Sequence, residues 1–397
     1  MKTVVLPSGS IADFCLVGAN ATGNGLFRGI TVLVAVAVVA CPGSVRAAVA
    51  PDAASQTAEA HLKRGLALFE SGNYARARIE FESVLRLDGQ PANLYQQAEV
   101  YADAARAYLA GDRLLPTGYV VAGYGHYAEN DTIAGTGDAN DNFFSARIGG
   151  RINYAVSPSS TINASLDYRY RNYDNGNRRK DSDLRWNGNV SHMIGDNNLA
   201  VGVRGWASAR GAERTRNDYG VFGEFRLLGD PDSQFRIGAE VRRRDYPSGP
   251  LRERSRNIVD VTGGWTRSLL GGKASFSLAG GIGREFATDD RPDGNSNFFT
   301  LSPSLDFTLS KALGGHVFAW WQRDRYNLER INSIDGEQGA GIPLRSDNLW
   351  EVGGGLSWAI AKGWSLNPDV LYIKDDSNIL AANYSATELH LTLRKDF

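Results

Sequence analysis

Two periods of apolar and polar positions run through this chain. Over residues 364–397 the period is two. Leu389, Leu391, Leu393 and Phe397 share one parity, interrupted only by Lys395, while Glu388, His390, Thr392, Arg394 and Asp396 share the other. Trp364, Leu366, Val370 and Tyr372 repeat the pattern against Ser365, Asn367 and Asp369. A strand turns successive side chains to opposite faces, so each segment has one oily and one polar face. The last residue is the aromatic Phe397 with no polar tail after it. That combination favours a pair of membrane-spanning strands over a half-buried soluble sheet.

Alternating segments recur at 117–129, 142–156, 160–173, 182–194, 198–211, 218–228, 232–246, 256–269, 272–287, 296–310, 314–329, 346–361, 364–377 and 385–397. The fourteen segments are an even number, as a barrel with both ends on one side of a membrane requires. The connections alternate as well. Short ones fall at 157–159, 195–197, 229–232, 271, 311–314 and 361–363. Longer, charged or Gly/Asn-rich ones fall at 130–141, 174–181, 212–217, 247–255, 288–295, 330–345 and 378–384. The pattern predicts an all-β, antiparallel transmembrane barrel of about 14 strands over 117–397, with short periplasmic turns and long external loops.

The faces follow from parity. Phe144, Ala146, Ile148, Ile152 and Tyr154 are expected against lipid, with Arg147, Arg151 and Asn153 inside. Ile162, Leu166, Tyr168 and Tyr170 are expected outside, against Asp167, Arg169 and Arg171 in the lumen. Phe235, Ile237, Ala239 and Val241 are expected outside, against Arg236, Glu240, Arg242 and Arg244. A basic side chain turned to mid-bilayer costs roughly 2–4 kcal/mol, which enforces the parity. Glu224, Asp260 and Glu351 are the expected acidic partners of these arginines. In 314–329 the sequence Phe318, Trp320, Trp321 breaks alternation and leaves the faces unassigned. The remaining Trp, Tyr and Phe near strand ends fit interfacial girdles. The luminal arginines admit three readings: a brace of Arg–carboxylate pairs, a path for an anionic solute or glycan, or contact with a protein cargo. A positive wall serves all three.

Before the strands the period becomes helical. In 58–89, AEAHLKRGLALFESGNYARARIEFESVLRLDG, the positions Gly65, Leu68, Gly72, Tyr74, Ala77, Phe81 and Asp88 carry the small and large residues of a tetratricopeptide repeat. His61 and Arg64 stand where that repeat has an aromatic and a leucine. A further stretch, 93–109, is expected to cap it, giving a small periplasmic helical domain over 55–111 that acts as plug, spacer or docking platform. One repeat cannot build the peptide groove of longer arrays.

Residues 29–40 (GITVLVAVAVVA) follow Arg28 and precede Ala48-x-Ala50, the anatomy of a secretory signal over 1–50 with cleavage at that site. Val38-Val39-Ala40-Cys41 also resembles a lipobox, and the run is too short for a retained anchor helix. Both cysteines, Cys15 and Cys41, lie in this leader, so the remainder carries no disulfide and no cysteine-based metal site.

Composition agrees with a barrel. The 397 residues include 45 Gly, 16 Tyr, 16 Phe and 8 Trp, yet the mean hydropathy is −0.31. Without residues 1–50 the net charge is about −3, which gives no nucleic-acid footprint. His126, His192, His316 and His390 are scattered over separate strands without metal-ligand spacing. No serine elbow or phosphate-cradling loop is present. No enzyme activity and no cofactor are expected.

The order of signal, tetratricopeptide-like helices and fourteen-strand barrel resembles the surface lipoprotein assembly modifier family of Gram-negative outer membranes. The resemblance is sharpest at Asn367-Pro368-Asp369-Val370-Leu371-Tyr372, Asp376-Ser377-Asn378 and Leu393-Arg394-Lys395-Asp396-Phe397. Tyr124, Glu129, Asn130 and Asp131 add an acidic-Asn segment after the first strand. The likeness implies a barrel inserted by the barrel assembly machinery among outer-membrane lipid and lipopolysaccharide. It further implies that the barrel helps surface lipoproteins or small secreted proteins across that membrane. The helical part here is shorter than in the family's multi-repeat members. An Asx-type turn explains Asp376, Ser377 and Asn378 equally well. The competing expectation is a channel, either a polysaccharide export porin or a general porin.

Overall fold

A computed structural model describes residues 53–70, 72–86, 92–110, 114–131, 140–157, 159–174, 180–195, 197–211, 213–227, 233–247, 255–270, 273–288, 294–310, 312–327, 344–378 and 383–397. The expected signal, with Cys15 and Cys41, lies outside these residues. Three helices come first: α1 (Ala53–Glu70), α2 (Tyr74–Arg86) and α3 (Ala92–Ala110). Fourteen strands follow: β1 (Leu114–Asp131), β2 (Asn140–Ser157), β3 (Ser160–Tyr173), β4 (Asp181–Ile194), β5 (Asn197–Arg210), β6 (Glu213–Leu227) and β7 (Ser233–Asp245) form the first half. The second half is β8 (Arg256–Leu269), β9 (Ala274–Ala287), β10 (Ser296–Thr308), β11 (Leu313–Tyr326), β12 (Ser346–Ala361), β13 (Trp364–Ser377) and β14 (Tyr384–Asp396).

Every strand pairs antiparallel with its sequence neighbour, and β1 closes on β14. The closing ladder runs from Tyr119 opposite Asp396 to Asp131 opposite Tyr384. Beyond it, Phe397 N–H donates to Gly118 O at 3.0 Å and Gly118 N–H to Phe397 O at 2.8 Å, so the last residue is stitched into the seam. Closure satisfies every edge, which a sheet in hydrocarbon must do. Gly125 makes the seam tight. A Cβ there would meet the Phe143 ring and stand 2.8 Å from Leu389 O.

The fourteen strands stand where the alternation places them, with one difference in the connections. The expected loop at 212–217 is taken up by β6, which begins at Glu213 and pairs back on Arg210. Gly211, at φ +65°, makes the turn that allows this early return.

The outer surface is the apolar parity. Ile148, Ile152, Leu166, Val203, Val221, Ile237, Val261, Ile282, Leu389 and Leu391 are all exposed. Aromatic groups mark the two ends of this band. Trp265 lies 6.4 Å from Phe235 and 6.2 Å from Phe276 toward the short-turn end, while Trp321 stacks 5.6 Å from Trp350 and lies 5.6 Å from Phe299 toward the long-loop end. These positions suit rings at an interface.

The helices form one three-helix unit with its own core of Leu62, Leu68, Phe69, Tyr74, Ala77, Phe81, Val84 and Ala105. The small-against-large packing expected from sequence is present: a Cβ on Gly65 would overlap the Phe81 ring, and Tyr74 stacks on Tyr108 at 4.0 Å. Burial holds the Tyr74 phenol above its ordinary pKa. The unit does not form a tetratricopeptide repeat domain, and that expectation is corrected. A repeat needs a neighbour to cover its open face. Here β1 starts at Leu114, soon after α3 ends at Ala110, and the covering residues are Met193 and Ala155 of the barrel.

Candidate functional site

The sequence offers one place for function in this architecture, the interior of the barrel. Each inward position is set by the same parity that makes the outside apolar. The eight luminal residues expected from sequence, Arg147, Arg151, Arg169, Arg171, Arg236, Glu240, Arg242 and Arg244, all share the inward parity. They differ in what they touch.

Most of the arginines on β2–β8 are paired with carboxylates. Arg147 donates to Asp167 at 2.8 and 2.9 Å, and Arg169 to Asp183 at 3.1 Å. Arg204 meets Glu240 at 2.7 Å, with Arg242 3.8 Å from the same carboxylate. Asp218 lies between Arg216, at 2.7 Å, and Arg244, at 3.1 Å. Arg256 reaches Glu285 at 3.1 Å. These pairs brace the inner wall, which selects the first of the three readings of the arginines for most of their charge. Trp206 belongs to the same network. Its Nε1 donates to Asp183 at 3.0 Å, and the Arg216 and Arg185 guanidinium carbons lie 4.0 and 4.8 Å from its ring centroid.

Arg171 makes the longest span. It crosses the Phe143 ring, 4.5 Å from its centroid, to bind Glu388 of β14 through two hydrogen bonds of 2.7 and 2.9 Å. Its pair therefore bridges the seam between the first and last strands from the inside.

Arg236 is different. It is exposed to the lumen, and no ion pair holds it among the described residues. With Arg151, Arg204 and Arg226 it borders a small cavity of about 220 Å³, whose other wall carries Asn163, Asn187, Asn189 and Asn198. Asn163 donates to Asn189 at 2.9 Å and to Ser191 at 2.8 Å, forming an amide ladder on β3 and β4.

β11–β14 present another chemistry. Trp320, Leu349, Ile373 and Ala386 pack with Tyr127, Phe143 and Tyr173 into an apolar cluster inside the barrel. The faces of β11, unassigned in sequence, are resolved: Phe318 and Trp320 point inward, while Trp321 stacks on outward Trp350. Glu351 is not a partner of the arginines. It is 6 % exposed, stands across the strands from Trp320 and Ile373, and has no hydrogen bond or ion pair among the described residues.

A cavity of about 1110 Å³ adjoins the smaller one and shares Arg151, Asn187, Arg204 and Glu240 with it. It runs between these two walls down to Leu66, Gln97 and Tyr101 of the helices. The helices close on the short-turn end through a few polar contacts. Tyr74 Oη lies 3.2 Å from Thr161 Oγ1, and Lys362 pairs with Glu99 at 3.1 Å. Tyr108 Oη donates to Asn153 O, and Lys63 Nζ donates to Ser275 Oγ and stands 4.0 Å from Asp306.

The hairpin motif of β12–β14 is a brace. Ser377 Oγ donates to Asp347 at 2.6 Å. Asn378 accepts from Ser346 N–H and donates to Leu344 O, both at 2.8 Å. Asp376 pairs with Lys374 on the outer face at 2.7 Å. Leu393 and Phe397 project outward. Among the described residues no group of His, Cys, Asp and Glu forms a metal site.

No protein-family model matches the chain, and no curated protein matches it. Among solved structures it is similar to the outer membrane channel DcaP of Acinetobacter baumannii, with 10% identity, a TM-score of 0.44, and 72% of this chain and 97% of that one covered. It is also similar to OprB of Pseudomonas putida, at 12% identity and a TM-score of 0.41, covering 74% and 97%. A third is a FadL homologue of Pseudomonas aeruginosa, at 11% identity and a TM-score of 0.39, covering 79% and 94%. The resemblance to the surface lipoprotein assembly modifiers is overturned: no family model supports it, and the similar structures carry the names of channels and porins. The lipoprotein-translocation reading is withdrawn with it. The closed sheet, apolar outer band and polar interior make the chain an outer-membrane barrel of a Gram-negative bacterium.

Proposed function

We propose that this chain is a channel for small water-soluble solutes, with its short-turn end and its helices on the periplasmic side. The observation that carries the reading is the luminal cavity of about 1110 Å³, walled by guanidinium, carboxylate, amide and aromatic groups. A ring of fourteen strands is wider than the eight-strand barrels whose inward side chains fill the interior, and here the extra width is left as space for a path. The helices floor this cavity with Leu66, Gln97 and Tyr101, which suits a conduit for small molecules rather than for a polymer. In this reading the three-helix unit narrows the periplasmic mouth. Its attachment through a handful of hydrogen bonds and ion pairs leaves that mouth adjustable. Insertion by the barrel assembly machinery and an annulus of lipid and lipopolysaccharide follow from the outer-membrane setting.

Liposome swelling tests the proposal. Vesicles carrying the folded full chain are expected to swell in isotonic pentose solution, more slowly in hexose and not in a trisaccharide. Swelling no faster than in protein-free vesicles for every sugar would remove the channel reading.

A further inference from the structure

The outer face of the barrel carries a basic patch for which the lumen has no use. Arg284 of β9 and Arg325 of β11 are exposed, and they stand on either side of exposed Asn297 of β10 in the paired register. Arg323, also exposed, lies two residues before Arg325 and opposite Phe299. Arg323 and Arg325 alternate with buried Gln322, Asp324 and Tyr326, which fixes them on the outward face. We propose that this patch binds the phosphorylated sugar headgroup of a lipopolysaccharide molecule in the external leaflet. Such a site requires only that the long loops lie outside, and it is independent of conduction through the lumen.

Level, charge and spacing select that partner. Phe299, Trp321 and Trp350 form the outward aromatic group at the long-loop edge of the apolar band. The arginines begin at that edge and continue toward the loops, which puts them among the headgroups. None of the three has a side-chain hydrogen bond or ion pair among the described residues. Outward cations on β7 and β13 differ, since Arg243 is paired with Asp245 and Lys374 with Asp376. Across two strand spacings Arg284 and Arg325 are roughly 10 Å apart, and Arg323 is about 7 Å along β11 from Arg325. Unpaired like charges at these separations repel, and an anionic partner removes that cost. Each guanidinium fork matches phosphate oxygens through paired hydrogen bonds, and the Asn297 amide offers a donor and an acceptor to sugar hydroxyls. Toward mid-membrane, exposed Ile282, Leu301 and Val352 give acyl chains a surface. A phospholipid brings one phosphate on a small headgroup. A glycolipid with phosphate at both ends of its sugar reaches β9 and β11 together.

The test is lipid retention by the folded full chain in detergent, read by mass spectrometry of the intact complex. The probes are lipid A with its two phosphates, the same lipid stripped of phosphate, and phosphatidylglycerol. One bisphosphorylated lipid A is expected to stay bound per barrel, at least several-fold more tightly than either other lipid. Arg284→Gln, Arg323→Gln and Arg325→Gln together should weaken it at least about tenfold. Arg243→Gln, which removes a paired cation from the same face, should leave the affinity unchanged. Heat-modifiable gel mobility shows whether each variant has folded, and the wild-type comparison among lipids stands without them. Equal retention of lipid A and phosphatidylglycerol would reduce the patch to a general anionic-lipid contact and overturn the assignment. Complete displacement of lipid A by inorganic phosphate would overturn it as well, by marking a site for the free ion. So would unchanged affinity in the folded triple variant.

Discussion

Removing residues 53–110 is expected to raise single-channel conductance several-fold while leaving a folded barrel. The barrel closes through β1 and β14 without any helical residue in the seam. The helices meet the wall mainly through Tyr74–Thr161, Tyr108–Asn153, Lys63–Ser275 and Glu99–Lys362. They also supply Leu66, Gln97 and Tyr101 to the floor of the cavity, so taking them away removes that floor. A milder variant acts in the same direction. Gly72, at φ +85°, lies against Thr161 and the Ser160 backbone, and a side chain there is both strained and without room. Gly72→Leu should loosen the unit from the β2–β3 turn and produce frequent transitions to the larger conductance. Planar-bilayer recording of both proteins reads the effect. Identical conductance in the truncated and full chains would show that the helices do not limit the path.

The second large effect is on stability. Arg171 is 1 % exposed and Glu388 7 % exposed, and their paired hydrogen bonds span β1 and β2 from within the lumen. Losing one member of a buried pair strands the other, at a cost of about 3–5 kcal/mol. Arg171→Ala is therefore expected to lower the urea midpoint of vesicle-folded protein by far more than Arg147→Ala. The Arg147 pair with Asp167 is 27% and 20% exposed and better hydrated. Replacing both partners, as Arg171→Met with Glu388→Leu, should recover most of the loss, because no charge remains uncompensated. An unchanged midpoint in Arg171→Ala would show that the pair adds nothing to closure.

Much of this barrel was legible in the sequence because lipid enforces parity residue by residue. Leu389, Leu391 and Leu393 could not face a charged lumen, nor Glu388 the hydrocarbon, so strand identity and facing were fixed together. Alternation loses its force where both faces carry aromatics. Trp320 and Trp321 are adjacent and chemically alike, and only the packing of Trp321 on Trp350 and of Trp320 with Leu349 distinguishes them. Pairing across the lumen was not legible at all. Arg171 and Glu388 lie 217 residues apart and meet through the tilt and curvature of the closed sheet. The isolation of Glu351 depends on the same geometry, since parity says only that it points inward. The helical stretch misled for a different reason. Gly65, Tyr74, Ala77 and Phe81 do pack small against large, but whether such a pair becomes a repeat depends on what covers it next. Here Met193 and Ala155 of the barrel do so. The motif at Asp376, Ser377 and Asn378 was read as a family mark or an Asx-type turn, but Ser377 and Asn378 bond across to Leu344, Ser346 and Asp347 and so tie β13 to β12, while Asp376 pairs with Lys374.

Single-channel recording of the full chain in a planar bilayer shows whether the lumen is a path. A path gives discrete, reproducible current steps in symmetric KCl, with partial block from the helix-bearing side, where the mouth is narrowed. A correctly folded, heat-modifiable protein that inserts and passes no current, with the helices present or removed, would contradict it.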